Sequence, residues 1–147
     1  MSLLNNIKKT CPSTTTFIKK LLSIKDDNIT FPTYADALSE EKVHGVPSKV
    51  FSGLLSYPEN PYCCPECGVI GSVIKHTPKA SLIQMISYQN VPTYLRLYKQ
   101  RYRCKDCDHT FSATTNIVDE NCYISKALKF AIINDLKQKC SMTDIAN

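Results

Sequence analysis

Two cysteine pairs constrain this chain more than any other feature. Cys64 and Cys67 stand in "CCPECG", Cys104 and Cys107 in "CKDCD", and 36 residues separate the pairs. A C-x2-C turn presents two thiolates to one side of a tight bend, and two such turns supply the four tetrahedral corners that zinc takes, with Zn–S near about 2.3 Å. Pro65 presets φ near about −65° in the first turn. Gly68 supplies the positive φ that lets backbone N–H groups point back at sulfur, and Asp108, which visits that region more readily than most residues, holds the matching place in the second.

A redox C-x-x-C would sit beside a βαβ unit, which neither pair has, and four cysteines could also ligate an iron–sulfur cluster. The spacing favours a zinc ribbon with one structural Zn2+ on Cys64, Cys67, Cys104 and Cys107. Such a module should unfold without its metal. Four thiolates around one zinc are formally doubly negative, and Lys99, Arg101, Arg103 and Lys105 surround the second pair. Ligation by Cys63 would lengthen the first spacer to three residues, which makes it a bystander. Cys11, Cys122 and Cys140 have no partner at ligand spacing and read as buried or free thiols. With the tetrahedron filled, His44, His76 and His109 read as surface or polar-contact residues.

No run approaches the roughly 18 apolar residues of a membrane span, and the N-terminus lacks the apolar core of a secretory signal. The expectation is a cytoplasmic protein without a membrane partner. In that compartment thiols stay reduced, so paired cysteines point to metal rather than disulfides. The net charge of +5 is unevenly spread. Residues 58–112 carry seven basic against four acidic side chains, and they also hold the cysteine pairs.

At 147 residues the chain can form one domain or a few small modules. The reading is an α+β chain in three parts. Residues 1–57 carry a helix, "TFIKKLLSIKD", with Phe17, Ile18, Leu21, Leu22 and Ile24 on one side, ended by Asp26 to Asn28. Short strands follow in "NITF" and in a hairpin around Gly45 to Ser48. Residues 58–112 form an antiparallel zinc ribbon, with "GSVIKHT", "SLIQMISYQ" and "TYLRLYKQRYRC" as strands and "NVPT" as the last turn. Residues 113–147 form a helix capped by Ser125, with Ile124, Leu128, Ala131, Ile132 and Leu136 at helical spacing. A second start at Ser141, with Asp144 three residues on, opens an incomplete helix-turn-helix.

The strand "YLRLYKQRYRC" alternates. Tyr94, Arg96, Tyr98, Gln100, Tyr102 and Cys104 share one face; Leu95, Leu97, Lys99, Arg101 and Arg103 share the other, which turns from apolar to basic towards the zinc turn. Basic side chains beside aromatic rings suit phosphate contacts and base stacking, and they equally suit a solvated edge strand. Candidate DNA contacts are Arg96, Lys99, Arg101, Arg103, Lys105 and His109. There is no glycine-rich phosphate loop, no Gly-x-Ser-x-Gly elbow and no His-Glu-x-x-His. Taken alone, the chain reads as a binding module.

The order "FIKKLLSIKDDNITF", "KVFSGLLSY", "CCPECG", "YLRLYKQRYRCKDCDHTFSA", "ISKALKFAI" and "SMTDIA" resembles the N-terminal region of bacterial insertion-sequence transposases of the ISL-three family. The resemblance spans nearly the whole chain. It is most specific in "RYRC", the second C-x2-C and the "TF" that follows. It implies that the four cysteines bind zinc, that the partner is double-stranded DNA at the transposon's terminal inverted repeats, and that a helix-turn-helix begins at "SMTDIA". In the family a catalytic domain with an Asp-Asp-Glu carboxylate set follows. The departures are Asp108, where the family often has Gly, and the missing catalytic half, so the expectation is a truncated, nucleoid-associated chain that binds DNA without cutting it. The alternatives are a zinc-stabilised module that pairs protein chains through "TFIKKLL" or "KALKFAII", and a stand-alone DNA-binding regulator.

Overall fold

The computed structural model describes residues 7–88, 90–118 and 123–146. They form an α+β structure in which two long strands, β3 (Val46–Leu55) and β5 (Val91–Cys104), lie side by side and parallel, from Lys49 opposite Thr93 to Leu55 opposite Lys99. On the far side of β3 lie β2 (Leu38–Val43) and, beyond its end, the two-residue β1 (Ile29–Thr30), both antiparallel. The β2–β3 hairpin closes at His44 and Gly45, whose φ of 52° and 80° give the doubly left-handed turn that matches strand twist. This turn is tighter than the expected Gly45–Ser48 connection. The 16-residue β4 (Val73–Tyr88) covers the other edge of β5, and the short β6 (Thr110–Ser112) pairs with the C-terminal end of β5. One sheet therefore runs across the division expected at 57/58, because β3 and β5 are hydrogen-bonded neighbours.

Helix α1 (Pro12–Leu22) begins earlier and ends earlier than its hydrophobic pattern suggests. Pro12 occupies the first turn, where a missing N–H costs nothing. Ser23 stops the helix in the left-handed conformation at φ 57°, three residues before the acidic run. Ile18 is fully buried with Ile24, Ile29, Phe31, Phe51 and Leu95, while Phe17 stays half exposed against Tyr34 of the one-turn helix α2 (Tyr34–Ala37). Gly53 makes this packing feasible. A Cβ there would meet the Phe31 ring at 2.7 Å, so any side chain would push Phe31 off the sheet.

Burial changes face along β5. Thr93, Leu95 and Leu97 are buried first; nearer the cysteines the buried residues are Gln100, Tyr102 and Cys104. The face carrying Leu95 and Leu97 thus emerges into solvent as Lys99, Arg101 and Arg103, as the alternation predicts. The strands expected as separate segments in "GSVIKHT" and "SLIQMISYQ" are one strand with an irregularity between His76 and Lys79, where Thr77 and Pro78 together oppose Gln100. Proline is accepted in a strand at edges and bulges, and Pro78 has both. The bulge is pinned from β5: Gln100 Nε2 donates to the His76 carbonyl and Arg101 Nε donates to the Thr77 carbonyl at 2.6 Å.

Helix α3 (Lys126–Ala146) starts as expected, with Ser125 Oγ accepting the Leu128 N–H at 3.1 Å. It is tied to the sheet where Gln84 N–H donates to the Tyr123 carbonyl and Ser125 N–H donates to the Gln84 carbonyl. Of the expected apolar face, Ile124 and Leu128 are half-buried where the helix meets β4, whereas Ala131, Ile132 and Leu136 are exposed, and so are Phe130 and Ile133. The helix also runs unbroken through Ser141, so no turn separates a second helix there among the described residues. Its propensity-driven continuation outweighs the start signal of Ser141 and Asp144. No described helix is long and apolar enough to cross a membrane. Cys122 and the side chain of Cys140 lie outside the described residues.

Candidate metal centre

The two cysteine turns have the same backbone construction. In the first, Gly68 N–H donates to the Cys64 carbonyl at 2.9 Å and Cys64 N–H to the Val69 carbonyl at 3.0 Å. In the second, Asp108 N–H donates to the Cys104 carbonyl at 2.9 Å and Cys104 N–H to the His109 carbonyl at 3.0 Å. Gly68 and Asp108 both have positive φ, 74° and 60°. Two turns of one shape, one before β4 and one after β5, are held together because Val73 and Cys104 are register partners. Lys105 N–H adds a bond to the Ser72 carbonyl at 2.9 Å.

Four sulfurs converge as a result. Cys64 Sγ lies 3.7 Å from Cys107 Sγ, Cys67 Sγ lies 3.6 Å from Cys104 Sγ, and all four ligand atoms lie within 4.8 Å of one another. Around a zinc with bonds of about 2.3 Å, tetrahedral sulfurs stand about 3.8 Å apart. A disulfide needs about 2.05 Å. The sulfur spacing fits a zinc ion and excludes disulfides between these pairs. Cys63 is exposed, pairs only through its backbone with Ile70, and takes no part.

Backbone donors prepare the site for negative charge. The N–H groups of Cys67 and Glu66 reach Cys64 Sγ at 3.5 and 3.4 Å, and they hold that thiol down to about 6 against the opposing effect of burial. Cys107 behaves oppositely. The His109 N–H favours its thiolate, yet burial and the surrounding thiols of Cys67, Cys64 and Cys104 prevail and push it up to about 12. Four thiolates in one place repel, and a divalent cation supplies the compensation. The donor set therefore fits zinc in chemistry as in spacing.

Aromatic packing supports the site from below. Tyr102, fully buried, stacks on Tyr57 with ring centres 5.7 Å apart and contacts Phe111 at 5.6 Å, and Phe111 in turn stacks on His109. The Tyr102 hydroxyl accepts the Tyr57 N–H at 3.1 Å. Tyr102 is thus a core residue and offers no ring to a base.

The expected DNA contacts are divided between surfaces. Lys99, Arg101 and Arg103 share one face. Arg96 lies on the other and forms a two-bonded ion pair with Glu41, at 2.9 and 3.0 Å. Arg103 reaches Asp108 at 2.8 Å, Lys105 is exposed at the tip of the second turn, and half-buried His109 is stacked on Phe111. Two further basic residues join the Lys99 face through strand register: Lys79 directly opposes Lys99, and His76 opposes Arg101. Sequence reasoning missed both, because they come from β4 and only the cross-strand pairing brings them alongside.

Comparison with curated proteins and with solved structures gives no match. Residues 60–107 match the family described as the zinc-finger of transposase IS204/IS1001/IS1096/IS1165. The matched segment reaches from the turn before Cys64 to Cys107, so it contains all four converging thiols, and this part of the chain is similar to the zinc-finger of those transposases.

Proposed function

We propose that this chain is the DNA-binding N-terminal portion of an insertion-sequence transposase, holding duplex DNA at terminal inverted repeats through the basic face of its zinc ribbon. One observation carries the reading: Lys79 and Lys99 stand directly opposite on neighbouring strands, and neither has a carboxylate at ion-pair distance among the described residues. Like charges directly opposed weaken a sheet, so the arrangement makes sense in the presence of an anion. Arg101, Arg103 and His76 extend the same face, with Lys105 at its tip. A line of cations 4.8 Å apart or so across strands suits a phosphate backbone, which contributes affinity and a steep salt dependence.

Zinc acts here as the scaffold, since the ion ties the end of β5 to the turn before β4 and so fixes this face. The catalytic strand-transfer step is assigned elsewhere, because among the described residues the only cluster able to hold a metal is the four-cysteine set, and thiolates around a closed zinc leave no position for the reacting oxygens. A helix-turn-helix starting at Ser141 belongs to the same reading and requires α3 to break there. Cytoplasmic residence fits the free thiols.

The test is a gel-shift with the transposon's own ends and with random duplex, with and without a chelator. Tighter, zinc-dependent binding to the ends is expected; equal weak binding to both would contradict specific recognition. The exposed Phe130, Ile133 and Leu136 on α3 favour a second reading, in which this helix pairs chains. Sedimentation that depends on protein concentration and is abolished by Phe130→Glu would support it.

A further inference from the structure

The bulge in β4 creates a cleft of about 570 Å³, within the usual range for small-ligand sites. It lies beside the bulge, bounded by β4, by Gln100 of β5 and by the end of β3, and His76, which opposes Arg101, belongs both to its lining and to the basic face. Its polar lining comes from separate parts of the chain: Lys8 ahead of α1, Ser56 after β3, Lys75 and His76 on β4, and Gln100 on β5. Leu54 and Pro78 supply apolar wall, and among the described residues no carboxylate lines it.

The cations are not engaged elsewhere. Neither Lys8 nor Lys75 takes part in the ion pairs of Arg96 with Glu41 and of Arg103 with Asp108. Gln100, nearly buried, spends its amide N–H groups on the carbonyls of His76 and Arg101, which fixes the cleft floor. The bulge is therefore held open by bonds within the protein rather than by a flexible loop. Two ammonium groups, an imidazole and a hydroxyl around a rigid cleft, with no carboxylate among its described lining, match a compact, multiply charged oxyanion.

We propose that this cleft binds a phosphate group, with Lys8 and Lys75 as its charge partners and Ser56 and His76 as further donors. Apart from His76 the site shares no residue with the basic face assigned to DNA, and its charge partners Lys8 and Lys75 are not among the residues of that face. The phosphate can belong to a small phosphorylated molecule or to a nucleic-acid strand passing the β4 edge.

The experiment titrates inorganic pyrophosphate into the zinc-loaded chain, followed by calorimetry and by the His76 ring resonances. Saturable binding is expected, weakened at least about tenfold in the Lys8→Gln/Lys75→Gln double variant, which alters exposed side chains and should keep its zinc. A Lys99→Gln/Arg101→Gln/Arg103→Gln variant should bind pyrophosphate as the parent does. Displacement of pyrophosphate by duplex DNA would assign the phosphate to a nucleic acid, and retention would assign it to a small ligand. No saturable binding, or equal binding by the double variant, would overturn the proposal, and so would loss confined to the triple variant. The comparison of the double and triple variants is read without DNA, so it stands whether or not the basic face binds duplex.

Discussion

Asp108 occupies in the second cysteine turn the place that Gly68 occupies in the first. Each donates its N–H to the carbonyl of the leading cysteine at 2.9 Å, and each has left-handed φ. Asp108 also accepts the Arg103 guanidinium at 2.8 Å, an exposed pair of little net worth, within about 0–1 kcal/mol. Asp108→Gly should therefore retain zinc and change stability by less than about 1 kcal/mol, since relief of the left-handed backbone offsets the lost pair. Asp108→Val should cost about 1–2 kcal/mol, because a β-branched residue resists that conformation. Thermal melts of the zinc-loaded variants check both.

The ligand assignment separates two adjacent cysteines. Cys64→Ser should abolish zinc binding, worth on the order of 10 kcal/mol to such modules, and unfold residues 64–111. Cys63→Ser should leave one zinc per chain, since that side chain is exposed and remote from the sulfur cluster. Native mass spectrometry reads the stoichiometry. The reverse pattern would refute the assignment.

Away from the metal, Cys11 stands at the head of α1 with hydroxyls of Ser13 and Thr14 each 3.3 Å from its sulfur. These contacts, that of Ser13 first, bring its thiol from 9.0 to about 7. Its alkylation rate should rise through a midpoint near that value, and Ser13→Ala should move the midpoint towards 9.0. The folded-state value is depressed, so the associated stability is fully present above pH 9.0 and fades as pH falls through about 7. A pH series of labelling measured by mass spectrometry, with zinc bound throughout, distinguishes Cys11 from the protected ligands.

The Arg96–Glu41 pair joins β5 to β2 across β3. Hydrogen bonds from Arg96, then Ser39, hold the Glu41 carboxyl below its ordinary 4.5. Because the folded value is depressed, the stabilisation is present above pH 4.5 and is lost as pH falls through the lowered value. Glu41→Gln should cost up to about 1 kcal/mol at neutral pH and little in acid, given that both partners are partly exposed. DNA affinity should be affected far less than by changes at Lys99, since Arg96 lies on the other face. Urea melts at pH 7 and pH 3 supply the comparison.

Each half of the metal centre was legible because a C-x2-C turn is local chemistry, shaped by Pro65 and Gly68 in the first turn and by Asp108 in the second. The repeated spacing identified the halves as partners, which the Val73–Cys104 register brings together. The alternation of β5 was equally legible, including the emergence of Lys99, Arg101 and Arg103. Three features were not. The parallel pairing of β3 with β5 depends on contacts between residues more than 40 apart, which periodicity does not encode. The bulge at Thr77–Pro78 looks in sequence like a strand break, since proline ends a strand as often as it kinks one. Tyr102 reads as a surface aromatic by alternation alone, and only the change of buried face at Gln100 moves it into the core.

The most direct test is the salt dependence of duplex binding by the zinc-loaded chain, compared with a Lys79→Gln/Lys99→Gln variant. Each phosphate-contacting cation contributes about one unit of slope in log K against log salt. The expected result is a steep slope for the parent, a slope lower by about two for the variant, and loss of binding in both after chelation. A shallow slope that the two lysines leave unchanged, with zinc in place, would contradict the assignment of this face to DNA.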